Sequence, residues 1–385
     1  MSTLESLIAK VNKQYGKGTL MPASEATSLV VDRISTGIFD LDMKTGGGIP
    51  RGRISMLKGE FSAGKSAVAM KVAACAQRQC RWCGGVFEWT DLFGEIHEEG
   101  CKCGKKEAMR VVWLDSEHAY SPQWSEQFGV DSSQILIIQT EYAEQAIDVA
   151  DLCIRSKECD LLVVDSVAAL TPGVEVEQSA EKWQMGVFAR LMNKALRKWT
   201  SGMNAQGLLS TLKPTILLIN QMRVNLGGYH SSMTSPGGKG LAFFESLEVL
   251  FKRTALIEEP VSKRAVGIDI EFQIKKNKTA PPSSGGKFAL YFVALPPLYK
   301  VSDTDTAKQV LRAAVFWGLV KKGGAWFTFS DGSKFQGEEN ASARIREDTE
   351  LLISLQKQVS DREMVWAKTG EGVGEILEED SENET

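Results

Sequence analysis

Short, largely apolar runs recur along the first two-thirds of the chain. They are Ile54-Ser55-Met56-Leu57, Val111-Val112-Trp113-Leu114, Leu161-Leu162-Val163-Val164 and Thr215-Ile216-Leu217-Leu218-Ile219. None alternates apolar with polar, which is the pattern of strands buried on both faces of a parallel sheet. Gln134 to Gln139 is shorter but also β-like. Between the runs the pattern changes to helical. Ala67 to Gln79 has no Gly or Pro, and Tyr142 to Cys159 places Ala146, Val149, Ala150 and Cys153 inward. Gly186 to Trp199 carries an apolar stripe of Phe188, Met192, Ala195 and Trp199. Strands alternating with helices predict an α/β fold with a mostly parallel, twisted sheet flanked by helices. Ahead of this core, Leu4 to Tyr15 reads as a helix and Leu29-Val30-Val31 as a small strand. Behind it, Val266 to Ile274 reads as a strand. A helix at Thr306 to Trp317, a β segment at Ala325 to Phe329 and a helix at Ala341 to Lys357 then suggest a small α/β domain.

Four of these strands lead into residues that carry chemistry. The first runs into Gly59-Glu60-Phe61-Ser62-Ala63-Gly64-Lys65-Ser66, with Ala67 opening the next helix. This is G-x-x-x-x-G-K-S between a strand and a helix, the phosphate-binding loop of nucleoside triphosphatases. Its glycines permit turns that aim backbone N–H groups at a phosphate, and the helix start adds its positive dipole end. Lys65 is expected to reach the β- and γ-phosphates and the Ser66 hydroxyl to bind Mg²⁺. Asp165 closes its strand and is expected to hold Mg²⁺ directly or through water. Glu117 follows the Val111 strand as candidate general base for an attacking water. Gln221 ends the Thr215 strand, placed to sense the γ-phosphate.

Two long connections leave the same edge of the sheet, residues 171–185 and 222–240. The second carries Gly227, Gly228, Gly237, Gly238 and Gly240. Such loops at the ligand edge are usually functional. The helix between them sets Arg190, Lys194 and Arg197 on one face, suited to a phosphate backbone.

The 385 residues are 43% hydrophobic and 24% charged, an ordinary globular balance that suggests two or three domains. No apolar run approaches a membrane span and Met1 to Lys10 has no signal-peptide core, so a cytoplasmic protein with no membrane partner is expected. Charge is uneven. Residues 371–385 hold seven acidic groups and no Lys or Arg; removing that −7 from the net −4 leaves a body of +3. An acidic tail on a mildly basic body often accompanies a polyanionic partner, with which the tail competes. The seven cysteines are an odd number and do not read as a disulfide framework. Cys80, Cys83, Cys101 and Cys103 are spaced C-x2-C-x17-C-x-C, close to a zinc ribbon, and predict a structural Zn²⁺ site in an insertion spanning 80–106. His97 is a spare ligand, whereas Cys75, Cys153 and Cys159 are read as core residues.

At this point the chain resembles bacterial-type RecA recombinases over nearly its whole length. The matching segments are Lys13-Gln14-Tyr15-Gly16-Lys17-Gly18, Ile34-Ser35-Thr36-Gly37, Gly48-Ile49-Pro50-Arg51-Gly52-Arg53, the phosphate loop, and Asp115-Ser116-Glu117-His118-Ala119. They continue in family order with residues 163–172, Ile219-Asn220-Gln221-Met222-Arg223, Lys276-Asn277-Lys278 and Gly324-Ala325-Trp326. The resemblance implies a RecA-like core at 35–296, an N-terminal oligomerisation arm at 1–34, a C-terminal domain at 297–366 and an acidic disordered tail at 367–385. It implies ATP and Mg²⁺ as cofactors, with Glu117 activating water and Gln221 linking the γ-phosphate to the second loop. Lys276 and Lys278 are implied to reach the ATP of a neighbouring protomer in a helical filament. The loops at 171–185 and 222–240 are implied to bind single-stranded and duplex DNA, with Arg190, Arg197, Arg223, Gly237, Gly238 and Lys239 near the strand. The implied activity is DNA-dependent ATP hydrolysis coupled to homologous pairing and strand exchange. Single-strand-binding and loader proteins are candidate accessory partners. A ring-forming helicase or motor built on the same core is the alternative reading.

The departures are local. Trp124 stands where the family usually has Tyr against the base, and Ser121 replaces a usual Asp. Leu226 to Thr234 and most of the first loop differ, and the cysteine insertion replaces a short turn. They suggest a divergent member of the kind a phage or plasmid carries.

Overall fold

The computed structural model describes residues 3–16, 18–22, 31–87, 89–90, 96–97, 101, 103–177, 186–205, 212–225, 232–234, 239–281 and 283–369. Eight strands build the main sheet: β1 (Ile54–Gly59), β2 (Val111–Asp115), β3 (Ile135–Ile138), β4 (Leu161–Asp165), β5 (Thr215–Gln221), β6 (Glu245–Glu258), β7 (Ala265–Asn277) and β8 (Gly285–Tyr291). Their spatial order is β8-β7-β6-β1-β5-β4-β2-β3. From β6 to β3 every neighbour is parallel, while β7 and β8 add on antiparallel.

The helices are α1 (Thr3–Tyr15), α2 (Phe39–Thr45), α3 (Lys65–Gln77), α4 (Pro122–Gln127), α5 (Ala143–Ser156), α6 (Gly173–Glu177), α7 (Val187–Asn204), α8 (Lys239–Phe244), α9 (Thr306–Phe316), α10 (Glu338–Glu347) and α11 (Thr349–Thr369). The largely apolar runs follow from cover on both sides of the sheet. Successive strand residues point to opposite faces. Val111, Trp113, Leu161, Val163, Leu217 and Ile219 therefore join the core under α3. Their neighbours Val112, Leu114, Leu162, Val164, Ile216 and Leu218 join the core under α5 and α7. Trp199 of α7 is fully buried there and donates its indole N–H to the Ile147 carbonyl at 3.2 Å. A third core lies among α9, α10 and α11, capped by a small sheet of Lys321–Gly323, Trp326–Thr328 and Lys334–Gln336. Phe39 and Met43 of α2 pack on it.

Several elements depart from the sequence expectation. Of the strand expected at Leu29-Val30-Val31, the first two residues lie outside the described residues and Val31 is not in a strand; the small pairing nearby joins Arg33–Ile34 to Ile49–Pro50. The single helix expected at Ala341 to Lys357 is two, α10 and α11. Asp348 breaks them, in an extended conformation, and its carboxylate accepts the Leu351 N–H at 3.0 Å, a cap for the second helix. Strand β7 continues to Asn277, so Lys276 lies inside it. Helix α1 buries no residue, and Leu4 and Leu7 are exposed on it. Among the described residues no helix is long and apolar enough to cross a membrane.

Candidate nucleotide site and metal centre

Parallel register brings the predicted strand ends together. Gly59 at the end of β1 pairs with Gln221 at the end of β5, and Asp115 of β2 pairs with Asp165 of β4. These four strands are adjacent, so their carboxyl ends form one edge, where open α/β sheets bind ligands.

The phosphate loop leaves β1 and enters α3 through Gly64, whose φ is +81°. A Cβ at Gly64 would meet Ile270 Cδ1 at 2.6 Å, and one at Gly59 would meet the Phe251 carbonyl oxygen at 2.4 Å. Gly59 therefore requires glycine by close approach to backbone, and Gly64 chiefly by its left-handed φ. Lys65 is 7% exposed, and its Nζ donates to the carbonyls of Gly59 at 3.1 Å and Glu60 at 2.5 Å, inside the loop it serves. Burial pulls its pKa down, while Asp165, Glu117 and Glu60 act to raise it. Phe61 at the tip is exposed and Ala63 is buried.

Around Lys65 the acidic groups crowd. The Asp165 carboxyl is pushed up to about 6, first by burial and further by Glu117 and Asp115. A hydrogen bond from Ser66 and the charge of Lys65 oppose the shift. A hydroxyl and a carboxylate are hard oxygen donors, and a crowded carboxylate gains from a cation. Ser66 and Asp165 thus fit Mg²⁺. Glu117 lies two residues past β2 and is exposed. Its Oε1 accepts from Ser166 Oγ at 2.5 Å and from Gln221 Nε2 at 2.7 Å. The structure thus joins Glu117 and Gln221, named separately from the sequence, through one carboxylate oxygen. Ser166 was not named as a site residue; its signal was a hydroxyl directly after the strand-end Asp165.

Trp124 sits on α4, partly buried, edge-on to Phe128 with ring centroids 5.2 Å apart. Ser121 caps that helix, its hydroxyl accepting the Trp124 N–H at 3.3 Å. Lys276 and Lys278 lie apart from the Glu117 cluster. Lys276 Nζ donates to the Ala242 carbonyl and Lys278 Nζ to that of Phe243 at 3.5 Å, at the C-terminal end of α8. Burial lowers the pKa of Lys276, and Lys278 beside it lowers it further. Below them Lys58 pairs with Glu248 at 3.0 Å, and Glu245, fully buried, is pushed up to about 8 by burial and by its bond to Glu248. The sequence reading had missed this group.

On α7, Arg190, Lys194 and Arg197 are all exposed, whereas Met192, Ala195 and Trp199 are buried. The stripe and the basic face are thus opposed. Arg223 lies in a short strand, Arg223–Asn225, paired with Ser232–Thr234, and Lys239 opens α8. Gly237, Gly238 and most of the two loops lie outside the described residues, as does the tail beyond Thr369.

The four clustered cysteines converge. Their Sγ atoms all lie within 4.8 Å of one another, with Cys80–Cys103 at 3.6 Å, Cys83–Cys101 at 3.4 Å and Cys101–Cys103 at 3.1 Å. A tetrahedral site with Zn–S bonds of about 2.3 Å has sulfur–sulfur edges of about 3.8 Å, so the set fits Zn²⁺. Arg81 anchors the first pair to the core, its Nε 3.2 Å from Asp160 and both side chains buried. The side chain of His97 lies outside the description. Of the three remaining cysteines, Cys159 is buried, while Cys75 and Cys153 are half-buried.

A strand-end phosphate loop, a strand-end aspartate and a glutamate just past the end of the neighbouring strand define a P-loop nucleoside triphosphatase with a parallel core. Comparison with known proteins narrows the class. The RecA N-terminal domain family matches residues 2–89 and 99–294, and its one internal gap falls between the two cysteine pairs. The RecA protein of Fusobacterium nucleatum is 34% identical over 361 residues, covering 93% of this chain and 84% of that relative. Those of Thermus aquaticus and Thermus thermophilus are each 33% identical and cover 97% of this chain and 98% of the relative. The chain belongs to the RecA family of ATP-dependent recombinases. Membership implies a DNA-dependent ATPase that uses ATP and Mg²⁺.

Asp165 yields a prediction with a definite sign. Its native carboxyl keeps a proton up to about 6, against 3.8 for the unperturbed group. Between those values the folded state holds a proton that the unfolded state releases, so stability falls as pH rises through the window and stays lower above it. Asp165→Asn, isosteric and neutral, removes that loss. Without nucleotide or metal the variant should melt higher than wild type at neutral pH, the gain vanishing below about pH 4. Equal melting temperatures across the range would show that the carboxylate carries no such cost.

Proposed function

We propose that this chain polymerises as a helical filament on single-stranded DNA, pairs it with homologous duplex DNA and exchanges strands, hydrolysing ATP as it does so. The observation that carries this is the Gln221–Glu117 hydrogen bond at the phosphate-loop edge. Gln221 opens directly into the second Gly-rich loop, so one side chain ties the hydrolytic carboxylate to the segment read as DNA-binding. In this reading Glu117 accepts the proton of the attacking water. Lys65 and the loop N–H groups hold the phosphates, and Ser66 and Asp165 would hold Mg²⁺, whose charge stabilises the phosphate oxygens. Trp124 offers an aromatic plane near the base.

Lys276 and Lys278 complete the site of the neighbouring protomer, and α1 supplies exposed leucines to the same assembly. Arg190, Lys194 and Arg197, with Arg223, Gly237, Gly238 and Lys239, meet the DNA backbone. We place the protein in the cytoplasm. Matches to RecA proteins along nearly the whole chain favour this over a ring-forming motor. Zn²⁺ at Cys80, Cys83, Cys101 and Cys103 would clamp the insertion, which is too small for a core of its own.

Three measurements test the proposal. Electron microscopy with ATP and single-stranded DNA should show helical filaments; closed rings would overturn it. Glu117→Gln should bind ATP and DNA as wild type but lose hydrolysis by roughly a hundredfold or more, the scale of general-base catalysis. Wild-type turnover in that variant would remove Glu117 from the role. Elemental analysis of protein purified without chelator under reducing conditions should find one Zn²⁺ per chain, lost in Cys80→Ser/Cys83→Ser; metal-free wild type would refute the zinc site.

A further inference from the structure

We propose that Ser166 is a positioning residue for ATP hydrolysis: its hydroxyl fixes the orientation of the Glu117 carboxylate. The inference rests on the reading of Glu117 as the base. Ser166 stands at the N-cap of a single turn, Val167–Ala169, with extended φ and ψ of −120° and 159°. A serine there normally turns its oxygen back to accept an N–H of the turn. Here no side-chain cap bond forms. The hydroxyl donates instead to Glu117 Oε1 at 2.5 Å, a short charge-assisted bond.

The main chain on both sides is arranged to hold that contact. Asp115 of β2 registers with Asp165 of β4. Immediately beyond, the Ser116 N–H donates to the Asp165 carbonyl at 3.0 Å, and the Ser116 hydroxyl donates to the Ser166 carbonyl at 2.6 Å. Ser116, the residue before Glu117, is thus tied by two bonds to Asp165 and Ser166, the donor's side of the contact. Ser166 is 1% exposed, so water does not compete for its hydroxyl. Gln221 donates to the same Oε1 at 2.7 Å, and among the described residues no hydrogen bond falls on Oε2. Two donors on one oxygen leave the other to face the attacking water. The two donors differ in kind. Gln221 is half-buried and sits at the root of a long loop, whereas Ser166 is locked in the sheet edge. Ser166 holds the carboxylate from the buried side and Gln221 from the side of the loop.

The test measures DNA-dependent ATP hydrolysis and nucleotide binding in Ser166→Ala, Ser166→Thr, Glu117→Gln and the Glu117→Gln/Ser166→Ala double variant. Ser166→Ala should lower kcat by about tenfold to a hundredfold, the rate equivalent of one hydrogen bond to a charged group. KM for ATP and the affinity for a fluorescent ATP analogue should stay within about twofold, since the phosphate loop is untouched. Ser166→Thr, which keeps the hydroxyl, should recover most of the rate. In the Glu117→Gln background Ser166→Ala should cost nothing further, because it acts only through that carboxylate. Wild-type kcat in Ser166→Ala, with Glu117→Gln inactive, would overturn this inference alone. An equal further loss in the double variant, or matched loss of nucleotide binding, would make Ser166 a structural residue and also overturn it. Wild-type turnover in Glu117→Gln would instead bring down the reading of the base itself.

Discussion

The hydrogen-bonded register of four parallel strands is the constraint on which the rest depends. β1, β5, β4 and β2 lie side by side, buried on both faces, and slipping one by a single residue would turn its apolar side chains to the wrong core. That penalty fixes where each strand stops. Because the strands are parallel, they stop on the same edge, and Gly59, Gln221, Asp165 and Asp115 arrive there together. The site is a product of core packing before any of its residues touches a ligand.

Having collected these groups, the edge must manage their charge. Asp165, Glu117 and Glu60 act on one lysine, Lys65, while Glu117 and Asp115 crowd Asp165, where burial adds to the shortage of positive charge. A half-buried carboxylate that holds its proton to about 6 is poorly solvated and poorly paired, which is the condition a divalent cation relieves. Asp115 is satisfied locally, by the N–H groups of Ala119 and Tyr120 and the side chain of Gln139. Glu117 is satisfied from across the edge, by Ser166 and Gln221. Neighbouring carboxylates thus acquire different work from different hydrogen bonding, one structural and one poised toward the loop.

The segment that carries the four clustered cysteines enters at the opposite end of the sheet. It begins just after α3 and is stitched by Arg81 to Asp160, the residue that precedes β4. Buried ion pairs are expensive unless further bonds complete them. Here Arg81 also donates to the Lys157 carbonyl at 2.5 Å, and Arg51 donates to the carbonyl of Arg81 at 2.7 Å. The cysteine cluster is therefore fastened to the base of the strand whose far end carries Asp165. It is remote from the phosphate loop, which lies at the other edge.

Much of this was legible in the chain. Apolar continuity, Gly-rich spacing and strand-end carboxylates are local properties, and each reports the sheet, the phosphate loop and the residues at its mouth. The cysteine spacing likewise announced four converging sulfurs. What the chain could not show is which separate segments share an atom. Glu117 and Gln221 are 104 residues apart and Glu117 and Ser166 are 49 apart, yet all three meet at one oxygen. Strand order decides that, and it follows from how the two cores close over the sheet. The same holds for Lys58, Glu245 and Glu248, ordinary charges in sequence that become a buried cluster only when β1 and β6 pair. It also holds for Asp348, whose capping bond divides what periodicity alone reads as one helix. Local pattern determined what each element is and which end carries chemistry. Tertiary packing decided which ends meet, because burial on both faces leaves each strand a single register and a single pair of neighbours.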